Sequence, residues 1–357
     1  MPDPTPNPRY LRQLKLPFWD QAAQDRLTAS HAMIVGCGAL GCPSADLLAR
    51  AGVGKITLID RDLVETSNLH RQILFDAQSV GESKATLAAQ RLAALNPFIT
   101  VTTITERITR NNVVKLVADY DVLVDCTDNF ETKFLLNDVA VLHKKRLIQA
   151  SIYQYEGQLF VYDPKHDGPC VRCLWPEMPK PGFVGSCAEV GVLGAIAGVF
   201  GTLQAVEVLK HLLDLPDKLQ GDTFFLDLLS LRSHKVKAER NATCPVCSTQ
   251  ATITAIEAEA PVELDATELN GNLGDYALID IRERKEAEAS PLPVTPALRC
   301  PAGDIHLDDL HIDVPEPWLL VCTRGMRSKY LALALRKAGC EKVYSLRGGA
   351  PALEQVK

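Results

Sequence analysis

Short apolar runs alternate with longer segments of helical periodicity along the first 150 residues. The runs are rich in Val, Ile, Leu and Thr, as strands are, and they cover residues 31–35, 55–59, 99–104, 121–125 and 146–150. Apolar residues spaced along one helical face predict helices at 9–16, 43–52, 83–95, 113–118 and 131–143. Because such alternation builds βαβ units, we predict an α/β fold with a doubly wound parallel sheet and an antiparallel addition at 157–162.

The composition changes after this sheet and divides the chain. Residues 248–261 are rich in Thr, Ala and Glu, show little periodicity and read as a linker. A second α/β pattern starts at 276–280 and runs close to the C-terminus. We therefore predict a first domain over residues 1–247, a linker over 248–261 and a smaller α/β domain over 262–357.

One nearly uncharged segment, residues 190–206, raises the question of a membrane span. It is rich in Gly and Ala and falls short of the roughly 20 strongly apolar residues that a span needs. A buried core helix is the better prediction, and we expect no contact with a membrane.

Composition and charge narrow the class of protein. The chain has 357 residues, and 38 Lys and Arg against 44 Asp and Glu give a net charge of −6. A hydrophobic fraction of 46% excludes disorder and fibres, and the absence of a basic stripe argues against nucleic acid. Eleven cysteines are too few for a disulfide scaffold, and the N-terminus lacks the pattern of a signal peptide. We expect a cytoplasmic protein.

A glycine-rich loop joins the first predicted strand to the helix after it. It reads Gly36-Cys37-Gly38-Ala39-Leu40-Gly41, the G-x-G-x-x-G pattern of Rossmann-like sheets. In such sheets the backbone N–H groups of the loop bind phosphate, here those of Gly36, Gly38, Ala39 and Gly41. Asp60 follows Gly41 by 19 positions, where a carboxylate can bind ribose. The pattern predicts a nucleotide site for NAD, FAD or ATP, with a purely structural turn as the alternative.

Charged residues beyond Asp60 favour one of these nucleotides. Arg71 and Lys84 follow it, and Asp128 comes directly after the strand at 121–125. Two cations and a strand-end carboxylate suit a triphosphate with its Mg²⁺ better than the single pyrophosphate of a dinucleotide. We predict ATP and Mg²⁺, against the alternative that these are solvated surface charges.

Four of the cysteines form two C-x-x-C pairs separated by 70 residues. Two such pairs complete a tetrahedral zinc site, and with four thiolates no coordination position stays open, so the zinc is structural. Two local disulfides or a single redox pair are the alternatives. The predicted zinc ligands are Cys170, Cys173, Cys244 and Cys247.

These residues make the chain similar to a known family. Over residues 9–247 it resembles the ubiquitin-activating-type adenylyltransferases of sulfur-carrier pathways, the MoeB/ThiF family, which also carry zinc on a similar cysteine quartet. The resemblance implies that Arg12 reaches the phosphates across a homodimer. One departure is Ala39, which replaces the third glycine of the family's G-x-G-G-L-G and is tolerated if only its N–H is used. By resemblance, ATP and Mg²⁺ bind Asp60, Ser67, Asn68, Leu69, His70, Arg71, Lys84, Asp128 and Asn129.

Cys187 is a candidate for chemistry because it lies directly before the predicted apolar helix. A helix N-terminus favours the thiolate, although an isolated cysteine is also a common small core residue. The resemblance places a reactive cysteine in a comparable stretch that meets the activated tail of the carrier. The remaining single cysteines are interpreted as packing residues, namely Cys37, Cys42, Cys126, Cys300 and Cys340.

Cys322 ends an apolar run and opens a loop with Gly325, Arg327 and Ser328, followed by a predicted helix at 329–337. This strand, loop and helix place the sulfur in a ring of N–H groups that stabilises a thiolate or persulfide. The alternative is a core cysteine before an ordinary loop. The loop resembles the C-x-x-G-x-R-S active site of rhodaneses, and residues 262–357 resemble a rhodanese-like domain. Its usual G-H-I-x-G-A segment is replaced by a variant at 293–304.

Together the resemblances imply an adenylyltransferase and sulfurtransferase. ATP would adenylylate the C-terminal Gly-Gly carboxylate of a ubiquitin-like sulfur carrier of the MoaD or ThiS type. A persulfide on Cys322, loaded by a donor such as a cysteine desulfurase, would then give a thiocarboxylate, with Cys187 resolving the intermediate. Pathways for molybdopterin, thiamine, thiolated tRNA and cysteine all fit. Two alternatives are an NAD(P)- or FAD-dependent oxidoreductase with a rhodanese-like regulatory domain, and a zinc-bound scaffold without activity.

Overall fold

A computed structural model describes residues 7–166, 168–178, 191–258, 262–305 and 314–356. The chain forms two compact units, Met1–Ala258 and Glu259–Lys357. Each unit is built on its own sheet.

The sheet of the first unit begins with a parallel section and ends with an antiparallel one. Its strand order is β3-β2-β1-β4-β5-β6-β7-β8, with parallel pairing from β3 to β5 and antiparallel pairing from β5 to β8. The parallel section and β6 agree with the sequence prediction. The strands are β1 His31–Val35, β2 Lys55–Ile59, β3 Thr100–Ile104, β4 Val122–Asp125, β5 Arg146–Tyr153, β6 Glu156–Tyr162, β7 Thr223–Asp227 and β8 Arg232–Val236.

Three helices of this unit, α1, α3 and α5, begin at a polar side chain that caps the first turn. The side chain of Asp20 accepts a hydrogen bond from the N–H of Ala23 at 2.8 Å, and Ser83 starts the third helix in the same way. Gly52, with φ +91°, ends the second helix. The helices are α1 Gln21–Ala29, α2 Gly41–Ala51, α3 Lys84–Leu95, α4 Val113–Leu116, α5 Phe130–Leu142, α6 Val171–Leu174 and α7 Gly194–Leu213.

The predicted helix at 9–16 is wrong. This stretch forms two short 3₁₀ turns, Pro8–Tyr10 and Gln13–Lys15. Tertiary contacts explain the difference, because Tyr10 is buried and its hydroxyl accepts a hydrogen bond from Asn96 at 2.8 Å. That anchor holds the segment against α2 and α3 rather than along a helix axis.

Each face of the first sheet carries its own hydrophobic core. Along β1, Ala32 and Ile34 point into one core, and Met33 and Val35 point into the other. Helices α1, α2, α3 and α7 cover the first face, and α4 and α5 cover the second. Strands buried on both faces explain why β1, β2 and β4 read as continuous apolar runs.

Helix α7 is long and apolar enough to cross a membrane by length and composition, yet 56% of its most apolar window is buried inside the protein. Phe200 is fully buried, and its ring lies so near Gly157 of β6 that a Cβ there would come within 2.6 Å. The helix is therefore a core element, as the sequence predicted, although it runs from Gly194 to Leu213.

The second unit is a smaller parallel sheet in the order β11-β10-β12-β13-β9. Separate hydrophobic cores lie on its two faces. The variant segment at 293–304 contains the edge strand and a 3₁₀ turn, Ala302–Asp304. The elements are β9 Glu263–Leu264, β10 Ala277–Asp280, α8 Arg284–Ala289, β11 Leu298–Arg299, β12 Trp318–Val321, α9 Met326–Lys337 and β13 Val343–Leu346.

The packing of α7 predicts how two adjacent residues differ in their effect on stability. Phe200→Ala removes a fully buried ring and is expected to lower the free energy of unfolding by about 3–5 kcal/mol. Val199→Ala is the matched control on the same helix, because its side chain is exposed, and we expect a change within about 0.5 kcal/mol. Hydrogen exchange of peptides from β1 and β5 measures both. Equal protection in the two variants would contradict a core role for α7.

Candidate functional site

The glycine-rich loop lies between β1 and α2, and two of its glycines are required by contact. Gly36 has φ +93°, and a Cβ there would lie 2.9 Å from the carbonyl oxygen of Cys126. A Cβ on Gly41 would lie 1.9 Å from the carbonyl oxygen of Gly36. At Gly38 the nearest atom to such a Cβ is Nε2 of Gln72, at 3.8 Å. The first two glycines therefore close the turn, and the space at Gly38 is open to a ligand.

Asp60 ties the end of β2 to this loop. One carboxylate oxygen accepts a hydrogen bond from the N–H of Cys37 at 2.7 Å, and the other accepts from the N–H of Asp62 at 2.8 Å. Burial raises the pKa of Asp60, and these two bonds act in the opposite direction. A carboxylate has about four acceptor positions, so this one can still bind ribose hydroxyls while it holds the loop.

Lys84 is a largely buried cation at the start of α3. Its side chain is 9% exposed, and Nζ lies 3.4 Å from a carboxylate oxygen of Asp62, which is 59% exposed. An ammonium group has three N–H donors, and the solvated carboxylate of Asp62 neutralises it weakly at this distance. The geometry therefore suits a second anion beside the loop.

In the segment from Ser67 to Gln72, some side chains stabilise the local fold and others are available to bind a ligand. Asn68 is buried, and its side-chain oxygen accepts a hydrogen bond from the N–H of Glu65, which stabilises the local 3₁₀ turn. Arg71 donates a hydrogen bond to the carbonyl of Ser67 at 2.7 Å. Leu69 packs against the core, whereas His70 is exposed. Of the predicted nucleotide ligands in this segment, Arg71 has the donors that a phosphate needs.

Gln72 lies in the same segment and has an unsatisfied polar atom. Its Oε1 is buried without a hydrogen-bond partner among the described residues, and its Nε2 is the atom nearest to the open position at Gly38. A buried acceptor of this kind calls for a donor from a ligand or an ordered water. A bound nucleotide would occupy the open position at Gly38 and supply a donor to the Gln72 oxygen.

The loop after β4 carries Asp128 and Asn129. Asp128 is exposed, whereas Asn129 caps α5 by accepting a hydrogen bond from the N–H of Thr132 at 2.9 Å. The Gly36 contact with Cys126 brings this loop against the glycine-rich one. The ends of β1, β2 and β4 therefore meet at one edge, which is where open α/β sheets bind ligands.

A buried network below Asp128 was not predicted from the sequence. Asp125 is fully buried and accepts hydrogen bonds from Gln149 at 2.8 Å and from the N–H of Thr127 at 2.9 Å. It also pairs with the cation Lys133, whose Nζ lies at 3.2 Å. The network fixes the backbone just before Asp128. Gln149 is 24 positions from Asp125, so no local sequence pattern predicted this contact.

Arg12 is exposed on the turn between the two N-terminal 3₁₀ segments. Within one copy of the chain, the N-terminal turns pack near Gln24 and Gly52, at the end of α2 away from the glycine-rich loop. Its predicted role depends on a second copy of the chain.

The four predicted zinc ligands come together at the second face of the sheet. Their sulfurs all lie within 4.8 Å of one another, with 3.6 Å between Cys170 and Cys244 and 3.4 Å between Cys173 and Cys247. A tetrahedral zinc with Zn–S bonds of about 2.3 Å places its sulfurs about 3.8 Å apart, so the cluster fits this ion. The structure forms no disulfide within the first pair, because the sulfurs of Cys170 and Cys173 lie 4.0 Å apart.

The first cysteine pair is held on α6 by α5. The N–H of Val171 donates to Asn137 at 2.8 Å, and Arg172 makes a two-pronged ion pair with Asp138 at 2.6 and 2.7 Å. These partners act on the residues between the two cysteines and so fix the direction of both sulfurs.

The other cysteines differ in how deeply they are buried. Cys37, Cys42 and Cys126 are buried, and burial raises the pKa of all three thiols, that of Cys42 to about 12. This agrees with a packing role. Cys300 and Cys340 are only half-buried. Cys187 lies outside the described residues.

Cys322 lies at the end of β12, and its sulfur accepts hydrogen bonds from the loop that follows. The N–H of Gly325 donates at 3.1 Å and the hydroxyl of Ser328 at 3.4 Å. Burial raises the pKa of Cys322, but the hydrogen bonds from Ser328 and from the loop N–H groups outweigh it, so the net pKa is lowered. Ser345 of β13 supports Ser328 through a hydroxyl contact of 2.8 Å. These hydrogen bonds favour the thiolate form of Cys322.

Arg327 belongs to the same loop and faces Glu286 of α8. Its Nη2 lies 2.6 and 2.8 Å from the two carboxylate oxygens of Glu286. The hydrogen bonds from Arg327 lower the pKa of Glu286 to about 2, so the pair stays charged at neutral pH. The residues of this pair are 41 positions apart, and the sequence pattern predicted no contact between them.

The chain is similar to proteins of one known family. The ThiF family model matches residues 10–246. The chain is 43% identical over 248 residues to a sulfur carrier protein adenylyltransferase of Thermus thermophilus, covering 68% of this chain and 92% of that protein. It is 38% identical over 352 residues to the adenylyltransferase and sulfurtransferase MOCS3 of Drosophila ananassae, covering 90% of this chain and 77% of that protein.

A solved structure has a similar fold over about two thirds of the chain. The crystal structure of E. coli MccB with ATP superposes with a TM-score of 0.61 at 24% identity, covering 69% of this chain and 75% of that chain. The family match and these relatives leave the oxidoreductase alternative without support. The chain therefore belongs to the ThiF family.

Proposed function

We propose that this enzyme adenylylates the C-terminal Gly-Gly carboxylate of a ubiquitin-like sulfur carrier and then transfers sulfur to it. The observation that carries the proposal is the shared edge of β1, β2 and β4, where an open phosphate cradle, a buried lysine and an exposed carboxylate lie in one region. The names of the relatives support both reactions, since one is an adenylyltransferase of sulfur carriers and another a combined sulfurtransferase.

In the first reaction the carrier carboxylate attacks the α-phosphorus of ATP, and pyrophosphate leaves with the bonding electrons. The N–H groups around Gly38 and the charges of Lys84 and Arg71 stabilise the negative charge that develops on the phosphates. Asp128 would hold Mg²⁺, which neutralises phosphate charge when bound. Arg12 from a second copy of the chain would add a further cation, so the active form is a homodimer.

In the second reaction a persulfide on Cys322 attacks the acyl-adenylate, and AMP leaves. The product is an acyl disulfide, from which a thiolate at Cys187 would displace the thiocarboxylate by attacking the sulfur of Cys322. A cellular thiol then reduces the resulting disulfide. A cysteine desulfurase is the expected sulfur donor, and this thiol chemistry fits the cytoplasm. The hydrogen bonds to the Cys322 sulfur support its role as the sulfur carrier of the chain.

The cysteine quartet would hold a structural zinc. Four thiolates fill a tetrahedral ion, so the site binds no substrate. Its partners Asn137 and Asp138 lie on α5, which starts after the Asp128 loop. The zinc would thus stabilise the same face of the sheet that supports the nucleotide site.

The nucleotide role predicts ATP–pyrophosphate exchange that depends on a carrier ending in Gly-Gly. Lys84→Ala is expected to lower the exchange rate by about 100-fold, because it removes a charge from the developing phosphate anion. Lys55→Ala is the control, since Lys55 lies exposed at the opposite end of β2, and its rate should match the parent. No exchange with any Gly-Gly carrier would remove the adenylyltransferase claim.

The metal role predicts linked losses of zinc and stability. Cys170→Ser is expected to lower the bound zinc, measured by elemental mass spectrometry, from one equivalent to a small fraction and to lower Tm in the same preparation. Cys340→Ser, a half-buried cysteine of the second unit, should keep both values. Unchanged zinc in the Cys170 variant would rule the assignment out.

The sulfur role predicts a titration of Cys322 below the ordinary thiol range. Its alkylation by iodoacetamide, followed by mass spectrometry against pH, should have a midpoint below that of a free cysteine. Ser328→Ala removes a hydrogen bond that favours the thiolate, so the midpoint should move to higher pH. Ser290→Ala, an exposed site, should leave it in place. An unchanged midpoint in Ser328→Ala would contradict the proposed stabilisation of the thiolate.

A further inference from the structure

The charge of the Cys322 loop is set by a residue outside the loop. Glu286 of α8 holds Arg327 through both carboxylate oxygens, at 2.6 and 2.8 Å. It also accepts hydrogen bonds from the hydroxyl of Thr323 at 3.0 Å and from the N–H of Glu283 at 2.9 Å. Three groups thus hold this carboxylate through four contacts, and two of the groups, Arg327 and Thr323, belong to the loop that follows Cys322.

The ion pair lies on the accessible side of the loop. Cys322 is 1% exposed, whereas the side chains of Arg327 and Glu286 are 42% and 36% exposed. A sulfur donor from solvent therefore meets the pair before it meets the thiolate. Because Glu286 cancels the charge of Arg327, the cation that the loop offers to an anionic donor is Arg324, which is exposed next to Gly325.

This arrangement separates two classes of sulfur donor. Thiosulfate is a small dianion, and its approach to a thiolate needs positive charge nearby. A cysteine persulfide on another protein carries at most one negative charge and gains affinity from contacts away from the sulfur. We propose that Glu286 is a specificity-determining residue that disfavours small dianionic sulfur donors relative to a protein-bound persulfide. The inference rests on the proposed sulfurtransferase function.

Both donors lead to the same product at Cys322. With thiosulfate, the thiolate attacks the outer sulfur, the S–S bond breaks, and sulfite leaves with the electron pair. With a protein persulfide, the thiolate attacks the terminal sulfur and the donor cysteine leaves as a thiolate. Each transfer moves one neutral sulfur atom and needs no oxidant or reductant. The two rates are therefore directly comparable as the gain of one sulfur on Cys322.

The test compares Glu286→Gln with Glu288→Gln in the full chain. Glu286→Gln keeps the shape and removes the charge, while Glu288→Gln makes the same change on the same helix, where Glu288 pairs with Arg284. Mass spectrometry measures the loading rate of Cys322 by thiosulfate and by a cysteine desulfurase charged with L-cysteine. The ratio of the first rate to the second should rise about fivefold in Glu286→Gln and stay unchanged in Glu288→Gln.

Salt separates an effect of charge from an effect of shape. The rise in the ratio should shrink when ionic strength is increased to 0.5 M, because the charges are then screened over about 4 Å. Arg327→Gln is a second variant, which leaves Glu286 without its cation, so its thiosulfate rate should fall severalfold. It serves as the test if Glu286→Gln does not fold.

Distinct outcomes overturn the inference and the function beneath it. An unchanged ratio in Glu286→Gln, a rise that persists at high salt, or an equal rise in Glu288→Gln would each overturn the role of Glu286. If the parent protein still gains sulfur on Cys322, any of these variant results leaves the sulfurtransferase function in place. A parent that gains sulfur from neither donor would remove that function and the inference with it.

Discussion

The edge of the first sheet where β1, β2 and β4 end depends on one close approach between two parts of the backbone, Gly36 and Gly41. The first turn of α2 is pressed against the end of β1 so tightly that a Cβ on Gly41 would lie 1.9 Å from the oxygen of Gly36. Gly36 in turn touches Cys126 after β4. Because the two contacts leave no room for side chains, they fix where the N–H groups of the loop point. The Asp60 bond to Cys37 then joins β2 to the same assembly.

The second unit uses the same principle around a sulfur atom. A Cβ on Gly349 would lie 2.3 Å from the carbonyl oxygen of Cys322 and 2.6 Å from the nitrogen of Gly325. This contact presses the end of β13 against the Cys322 loop and holds the loop N–H groups toward the sulfur. In both units, parallel strands end at a turn of backbone donors, which suits phosphate in one case and a sulfur anion in the other.

The sequence predicted the elements whose side chains are buried on both faces and the motifs whose members are close together. Strand β8 was missed because Arg232–Val236 is exposed along its whole length, so it has no apolar pattern. The glycine-rich loop, the cysteine pairs and the Cys322 loop were predicted because a steric or coordination rule sets their spacing. The contacts of Asp125 with Gln149 and of Glu286 with Arg327 link distant segments, and only the folded chain shows them.

The position of the cysteine quartet along the chain has a consequence for synthesis. Cys173 and Cys244 are separated by 70 residues that include α7, β7 and β8. On the ribosome, the parallel strands and the first C-x-x-C pair emerge well before the second pair, so the four sulfurs cannot assemble until almost the whole first unit has been translated. The quartet can therefore form only after nearly all of this unit has been translated, so it cannot nucleate the folding of the parallel strands.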